Sequence, residues 1–365
     1  MAIASRHSIV RLTTLLLLAA LAACGDARTE PAPAAAPVFG SDEAWPQDPA
    51  ARPWTHLNFR NDPATFQFAV IGDRSGGKRD GVFEAVLAKA NALQPEFVMS
   101  IGDYMEGYTF EPGKLAAEWA EVDGLMRRLE APLFLVVGNH DIFDAASEAL
   151  WRKHAGLPRY SFLYKNVLFI ALNTEDGRYA TPEERVELNK ALEVMAKDPK
   201  AVGAFMQSNP LIRQYLHDND AGRIGDEQTR WVLDLLEKHR DVRWTFFFMH
   251  RPVWRENNPN FARIEAALAG RGYTMIGGHT HHYAIQQRQG RDYIEVGTAG
   301  GGWTPDGKPG EMDSVLWVTM RGKEPVIANL VATGILPKDQ VPDRVPGAEL
   351  CGPQYDLSCR YQRAP

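Results

Sequence analysis

The chain has 365 residues, 45% of them hydrophobic and 24% charged, with a formal net charge of −6 and a pI near 6.0. Those values are ordinary for a globular protein and exclude a disordered chain, a collagen-like repeat and a multi-span membrane protein. The mildly acidic balance leaves no footprint for non-specific nucleic-acid binding, and three cysteines are too few for a disulfide scaffold or a thiolate metal cluster.

In chain order, residues 1–23 read as an export signal. Arg6 and Arg11 precede a short apolar run, Leu15 to Leu21. A run this short does not span a bilayer stably, so cleavage is expected rather than anchoring by a helix. Leu21-Ala22-Ala23-Cys24 resembles a bacterial lipobox, which makes Cys24 the expected lipidated first residue of the mature chain. Gly25 after it, rather than Asp, points to the outer membrane. The expected location is therefore that of an exported, periplasm-facing lipoprotein, held to the membrane by its lipid alone. Residues 24–55 are rich in Ala and Pro, a composition that suits an extended tether.

The segment 56–335 is expected to be the folded domain. Its apolar runs are Phe66–Ile71, Phe97–Ile101, Leu133–Val137, Val167–Leu172, Trp244–Met249, Tyr273–Ile276, Tyr293–Val296, Val315–Met320 and Val326–Leu330. Helical spacing falls over Gly81–Leu93, Lys114–Leu129 and Asp226–His239. Alternation of strand and helix predicts an α/β architecture with parallel pairing. The shorter gaps between the later runs suggest a second, more antiparallel sheet. Residues 176–225 break the rhythm, and Thr181-Pro182-Glu183-Glu184 matches a capping box with Pro at the first helical position. That segment reads as a two-helix insertion that either caps a site or thickens the shell. The tail 336–365 carries Cys351 and Cys359, and export to an oxidising compartment favours a local disulfide between them.

Five short motifs stand directly after apolar runs. They are Gly72-Asp73-Arg74-Ser75-Gly76-Gly77, Gly102-Asp103-Tyr104-Met105-Glu106, Gly138-Asn139-His140-Asp141, Met249-His250-Arg251-Pro252 and Gly277-Gly278-His279-Thr280-His281-His282. Polar groups just past strand ends are where α/β sheets build their sites. Together the motifs offer two carboxylates, one amide oxygen and three imidazoles, a donor set suited to Mn, Fe or Zn. Two such ions several ångströms apart form the clamp used on phosphoryl groups.

In this order and spacing the motifs resemble the calcineurin-like metallophosphoesterase superfamily over roughly residues 65–335. The resemblance implies a four-layer α/β/β/α sandwich of two mixed sheets with flanking helices. It implies a binuclear centre in which Asp103 bridges two divalent ions, Asp73 and His281 bind the first, and Asn139, His250 and His279 bind the second. His140 would stay off the metals and protonate the leaving oxygen, with Asp141 orienting its imidazole. Arg74, Ser75 and Arg255 are candidates for substrate contact.

One position departs from the family pattern. Asp-x-His requires His at position 75, and this chain has Ser75. A Tyr three residues after the bridging Asp, the substitute in purple acid phosphatases, is absent, because that position holds Glu106. Three outcomes are open: Ser75 or a water completes the shell, Glu106 reaches in, or a single tight metal does the work. The sequence Asp-Arg-Ser resembles an exported bacterial subgroup of the superfamily. The leading reading is a phosphoester hydrolase of the envelope, acting on a phosphorylated small molecule or an envelope component. Its rival is a non-catalytic lipoprotein that binds a phospho-ligand or metal with a degraded site.

Overall fold

Side chains alternate between two hydrophobic layers along each central strand, and that alternation is what builds the fold. The computed structural model describes residues 39–45, 52–59, 65–109, 111–176, 179–198, 200–219, 222–303, 308–331 and 334–343. The expected signal 1–23, Cys24 and both Cys351 and Cys359 lie outside the described residues.

The first part of the chain runs β1 (Phe39–Gly40), β2 (Phe66–Ile71), α1 (Val82–Leu93), β3 (Phe97–Ser100), α2 (Pro112–Met126), β4 (Leu133–Phe134) and α3 (Ala145–His154). Next come β5 (Tyr160–Tyr164), β6 (Val167–Ala171), α4 (Pro182–Lys197), α5 (Val202–Ser208), α6 (Pro210–Asn219) and α7 (Asp226–Lys238). Then follow β7 (Trp244–Phe248), α8 (Pro259–Ala267), β8 (Tyr273–Gly277), β9 (Ala284–Arg288) and β10 (Arg291–Glu295). A final meander of β11 (Ser314–Arg321), β12 (Glu324–Val331) and β13 (Gly334–Pro337) completes the order.

Two mixed sheets face each other. One has the order β1-β5-β6-β7-β8-β10-β9 and the other β13-β12-β11-β2-β3-β4. Phe66, Phe68 and Val70 of β2 meet Val167, Phe169 and Ala171 of β6 in the layer between the sheets. The alternate residues Ala69 and Ile71 face outward onto α1 and α2, while Leu168 and Ile170 face α7 and α8. This is the expected four-layer α/β/β/α sandwich. The late runs do not make a sheet of their own, however. β7, β8 and β10 pair in parallel, and β11 inserts antiparallel beside β2, so each sheet mixes early and late strands.

Three expected boundaries move. Residues assigned to the tether are part of the fold: Phe39–Gly40 pairs with β5, Trp54 bridges Phe134, and Trp45 and Trp54 pack on the inter-sheet core. Their aromatic side chains gain more by burial than the local Pro content suggests. At the other end, β13 pairs with β12 through Pro337, and Gly310 N–H donates to the Pro342 carbonyl at 2.7 Å, so the start of the tail is packed too. The insertion holds three helices rather than two, because Asp198 and Asn209 interrupt it as C-caps. Among the described residues no helix is long and apolar enough to cross a membrane.

Candidate metal centre

Strands β2, β3 and β4 run parallel, as do β7 and β8. Their C-terminal ends therefore open at shared edges, and the five motifs converge there. Two glycines let the loops close in. A Cβ at Gly138 would sit 2.2 Å from Asp103 Oδ1, and one at Gly278 would sit 2.6 Å from Asp73 Oδ1. Asp103, His279 and His281 adopt left-handed backbone conformations with φ of 59°, 69° and 57°. Such geometry is costly for non-glycine residues and concentrates at functional sites.

Two groups of donors result. Asp103, His250 and His279 form one, and Asp73, Asp103 and His281 the other, each with ligand atoms within 4.8 Å of one another. Asp103 belongs to both. Its Oδ2 lies 3.2 Å from His250 Nε2, and His281 Nε2 lies 3.3 Å from Asp73 Oδ2. Asn139 Oδ1 joins the first group, 2.9 Å from His250 Nε2. His279 Nδ1 stands 3.2 Å from the same nitrogen.

The heart of the centre is buried and charged. Asp73, Asp103 and His250 are fully buried. Burial raises the Asp103 carboxyl, but the adjacent His250 and His140 outweigh it and hold that group well below the usual carboxylate range. Burial lowers His250, and the Asp103 carboxylate overrides it, so the imidazole is pushed up to about 10. A cation entering here would have to displace that proton. The site fits a cation on a second count. Asp73 Oδ1 and Ser75 Oγ are buried without any hydrogen-bond partner, an arrangement that buried polar atoms rarely tolerate.

The sequence comparison agrees with the geometry. A family model described as calcineurin-like phosphoesterase matches residues 66–283. The chain belongs to this family. No curated protein matches it at a significant level. Among solved structures, a dimetal phosphatase from Danio rerio is similar at 15% identity, covering 72% of this chain and 98% of that one, with a TM-score of 0.48. GAP50 of Plasmodium, the anchor in the inner membrane complex of that organism, is similar at 11% identity, covering 77% of this chain and 87% of that one, with a TM-score of 0.44. Zinc-complexed Vps29 from Entamoeba histolytica shares 14% identity over 74% and 95%, with a TM-score of 0.34.

Within this calcineurin-like phosphoesterase several expected roles change. Asp141 does not touch the His140 ring. Its buried carboxylate accepts from the amides of Asp103 (2.8 Å), Gly138 (2.9 Å) and Tyr104 (2.9 Å), so it shapes the loop that carries Asp103. Burial and the Asp103 charge push its carboxyl up to about 7. The His140 ring is instead held at Nδ1 by the Glu106 carbonyl, 2.7 Å away. Adjacency in sequence to Asp141 is not contact, because the turn sends the two side chains opposite ways.

The Glu106 side chain turns from the centre and accepts from the amides of Gly77 (3.2 Å) and Lys78 (2.8 Å). Among the described residues Glu106 belongs to neither donor group. Arg74 is buried against the Tyr104 carbonyl at 2.7 Å and ion-paired with Glu121, contacts that brace the loops, and it is not among the described residues lining the cavity over the centre. Arg255 pairs with Glu295 at 2.7 Å and is not among the described residues lining the cavity over the centre.

Two residues that sequence reasoning missed do line it. Arg251, next to His250, is almost fully buried; it pairs with Glu175 at 2.9 Å and reaches His279 Nε2 at 3.0 Å. Tyr108 accepts from Asn139 Nδ2 at 3.1 Å and stands edge-on to the His140 ring at 5.0 Å. Arg251 was visible as a cation directly after a strand-end histidine. Tyr108 carried no such signal. The cavity, about 280 Å³, is lined on one side by residues of the insertion, among them Leu188, Val202, Met206 and Tyr215.

Proposed function

We propose that this protein is a metal-dependent phosphoester hydrolase of the bacterial envelope. The observation that carries the reading is the shared carboxylate of Asp103 between two donor groups, beside an imidazole, that of His140, which belongs to neither. Asp73, Asp103 and His281 would hold one divalent ion, with Ser75 or a water completing its shell. Asp103, Asn139, His250 and His279 would hold the second. Bound there, two ions supply an activated water and offset charge on the phosphate oxygens.

The chain's own groups do the rest. The Glu106 carbonyl can only accept, so it keeps a proton on His140 Nδ1. When the ring carries a second proton, as imidazolium, that proton sits on the other nitrogen, which stands against the Gly76 loop at the cavity wall, and is the one passed to the leaving oxygen, leaving the neutral ring with its Nδ1 proton. Arg251, fixed by Glu175, offers guanidinium N–H groups to a phosphate oxygen. The cap formed by α4–α6 limits water around the reacting group.

Cys24 is proposed as the lipidated residue that holds the enzyme to the outer membrane, and Cys351 with Cys359 as a local disulfide. Incorporation of labelled fatty acid, abolished in Cys24→Ser, tests the anchor. The activity is tested by metal content of the purified protein, with a chromogenic monoester and diester hydrolysed by the same sample. Two equivalents of metal with turnover are expected. No turnover after supply of Mn, Zn or Fe would overturn the proposal in favour of a non-catalytic phospho-ligand-binding lipoprotein.

A further inference from the structure

The cavity over the centre has two unlike walls. One carries the carboxylates, imidazoles and Arg251 already described. The other is made by the insertion, with Leu188, Leu192, Val202, Met206 and Leu216 facing the opening. Helices α4 and α6 hold this wall together through Leu188, Ala191, Ile212 and Tyr215, and the same cluster extends to Tyr108 beside His140. Leu192, Val202, Met206 and Leu216 are only half-buried, so uncovered apolar surface borders the cavity. Among the described residues this wall presents no charged side chain.

Tyr215 is the one residue with a hydrogen-bonding side chain among the described residues of this wall, so a sugar or nucleoside lodged there would press most of its hydroxyls and ring nitrogens against aliphatic groups, at the cost of each unmade hydrogen bond. A hydrocarbon chain would instead bury apolar surface on both sides of the contact. From this we propose that the site takes phosphate esters whose organic group is an apolar chain. The phosphate sits at Arg251 and His140, and the chain lies along α4–α6. The inference rests on the hydrolase reading of the same site and names its substrate class.

The test separates the two. Ethyl-, butyl-, hexyl- and octylphosphonate are titrated calorimetrically into the purified full-length protein supplied with Mn, and turnover of the matching alkyl phosphates is measured separately. The expected Kd falls about three- to fourfold per methylene until the wall is covered. Met206→Ser and Leu216→Ser are expected to flatten that series, with retained metal content showing that the variants have folded. A Kd indifferent to chain length, in a protein that hydrolyses esters, overturns the apolar-chain inference and leaves the hydrolase standing. A falling Kd with no turnover of any ester supports the chain site and overturns the hydrolase. No binding of any phosphonate overturns the inference outright.

Discussion

His140 Nδ1 lies 2.7 Å from the Glu106 carbonyl oxygen, and this contact decides which ring nitrogen faces the cavity. His140→Ala should therefore keep the fold and the metal but lose turnover by about 10²–10⁴-fold, the usual contribution of a positioned acid. Metal analysis alongside steady-state kinetics checks both halves. Unchanged turnover would remove His140 from the chemistry.

The two donor groups share only Asp103. Asp73→Ala should cost one equivalent of bound metal, whereas Asp103→Ala should cost both. Equal losses in the two variants would mean that the groups do not act as separate sites. The readout is metal per chain after dialysis, with no dependence on substrate.

Gly138 makes room for the Asp103 carboxylate, since a Cβ there would lie 2.2 Å from Oδ1. Gly138→Ala should destabilise the fold by about 1–3 kcal/mol, as overpacking does, and weaken metal retention as the shared carboxylate moves. A denaturant melt together with metal content measures both effects. A variant with wild-type metal affinity would show that the loop can give way without displacing Asp103.

His154 stacks on Trp119, with ring centroids 4.9 Å apart and planes 8° from parallel. Burial, helped by Lys153, holds its imidazole below the ordinary 6.5. The unfolded chain therefore binds this proton more readily than the folded one. Its stabilising share is complete above pH 6.5 and is lost as pH falls below that value. His154→Gln should flatten the fall in melting temperature on the acid side of 6.5. An unaltered slope there would place the acid sensitivity elsewhere.

What could be read in advance followed from short-range chemistry. Gly72-Asp73, Gly102-Asp103 and Gly138-Asn139 stand out because a turn that brings a carboxylate or amide close to bound groups needs glycine beside it. The inner strands stand out because residues buried on both faces make continuous apolar runs. β9, with the pattern Ala-Ile-Gln-Gln-Arg at a sheet edge, makes no such run and was missed. β5 was missed although it is mostly buried, because Tyr160, Ser161 and Tyr164 dilute its apolar character. α3 carried a local signal in Asp144 and Ser147, a capping box that went unread. The contacts of Asp141, Arg74 and Arg255 were not legible, for one reason. Each was assigned by its neighbour in sequence, and each finds its partner across a turn or on another element. The apolar wall over the centre was unreadable in another way, since its residues acquire a common direction only when α4, α5 and α6 pack together beside the loops that carry Asp103 and His140.

The arm before β2 has a consequence for solubility. Phe39 stacks on Phe162 at 5.5 Å, Trp54 lies 5.8 Å from Phe134, and Trp45 lies 4.6 Å from Trp54. Thr55 and Leu135 also bond across this junction, to the carbonyls of Leu133 and Pro53. A protease cut near residue 56, where composition alone would place the edge of the domain, would strip this cover. The bared faces of Phe134, Tyr160 and Phe162 and the open margin of β5 would form a contiguous sticky patch. The nicked protein would keep every residue of its centre and still be lost to self-association.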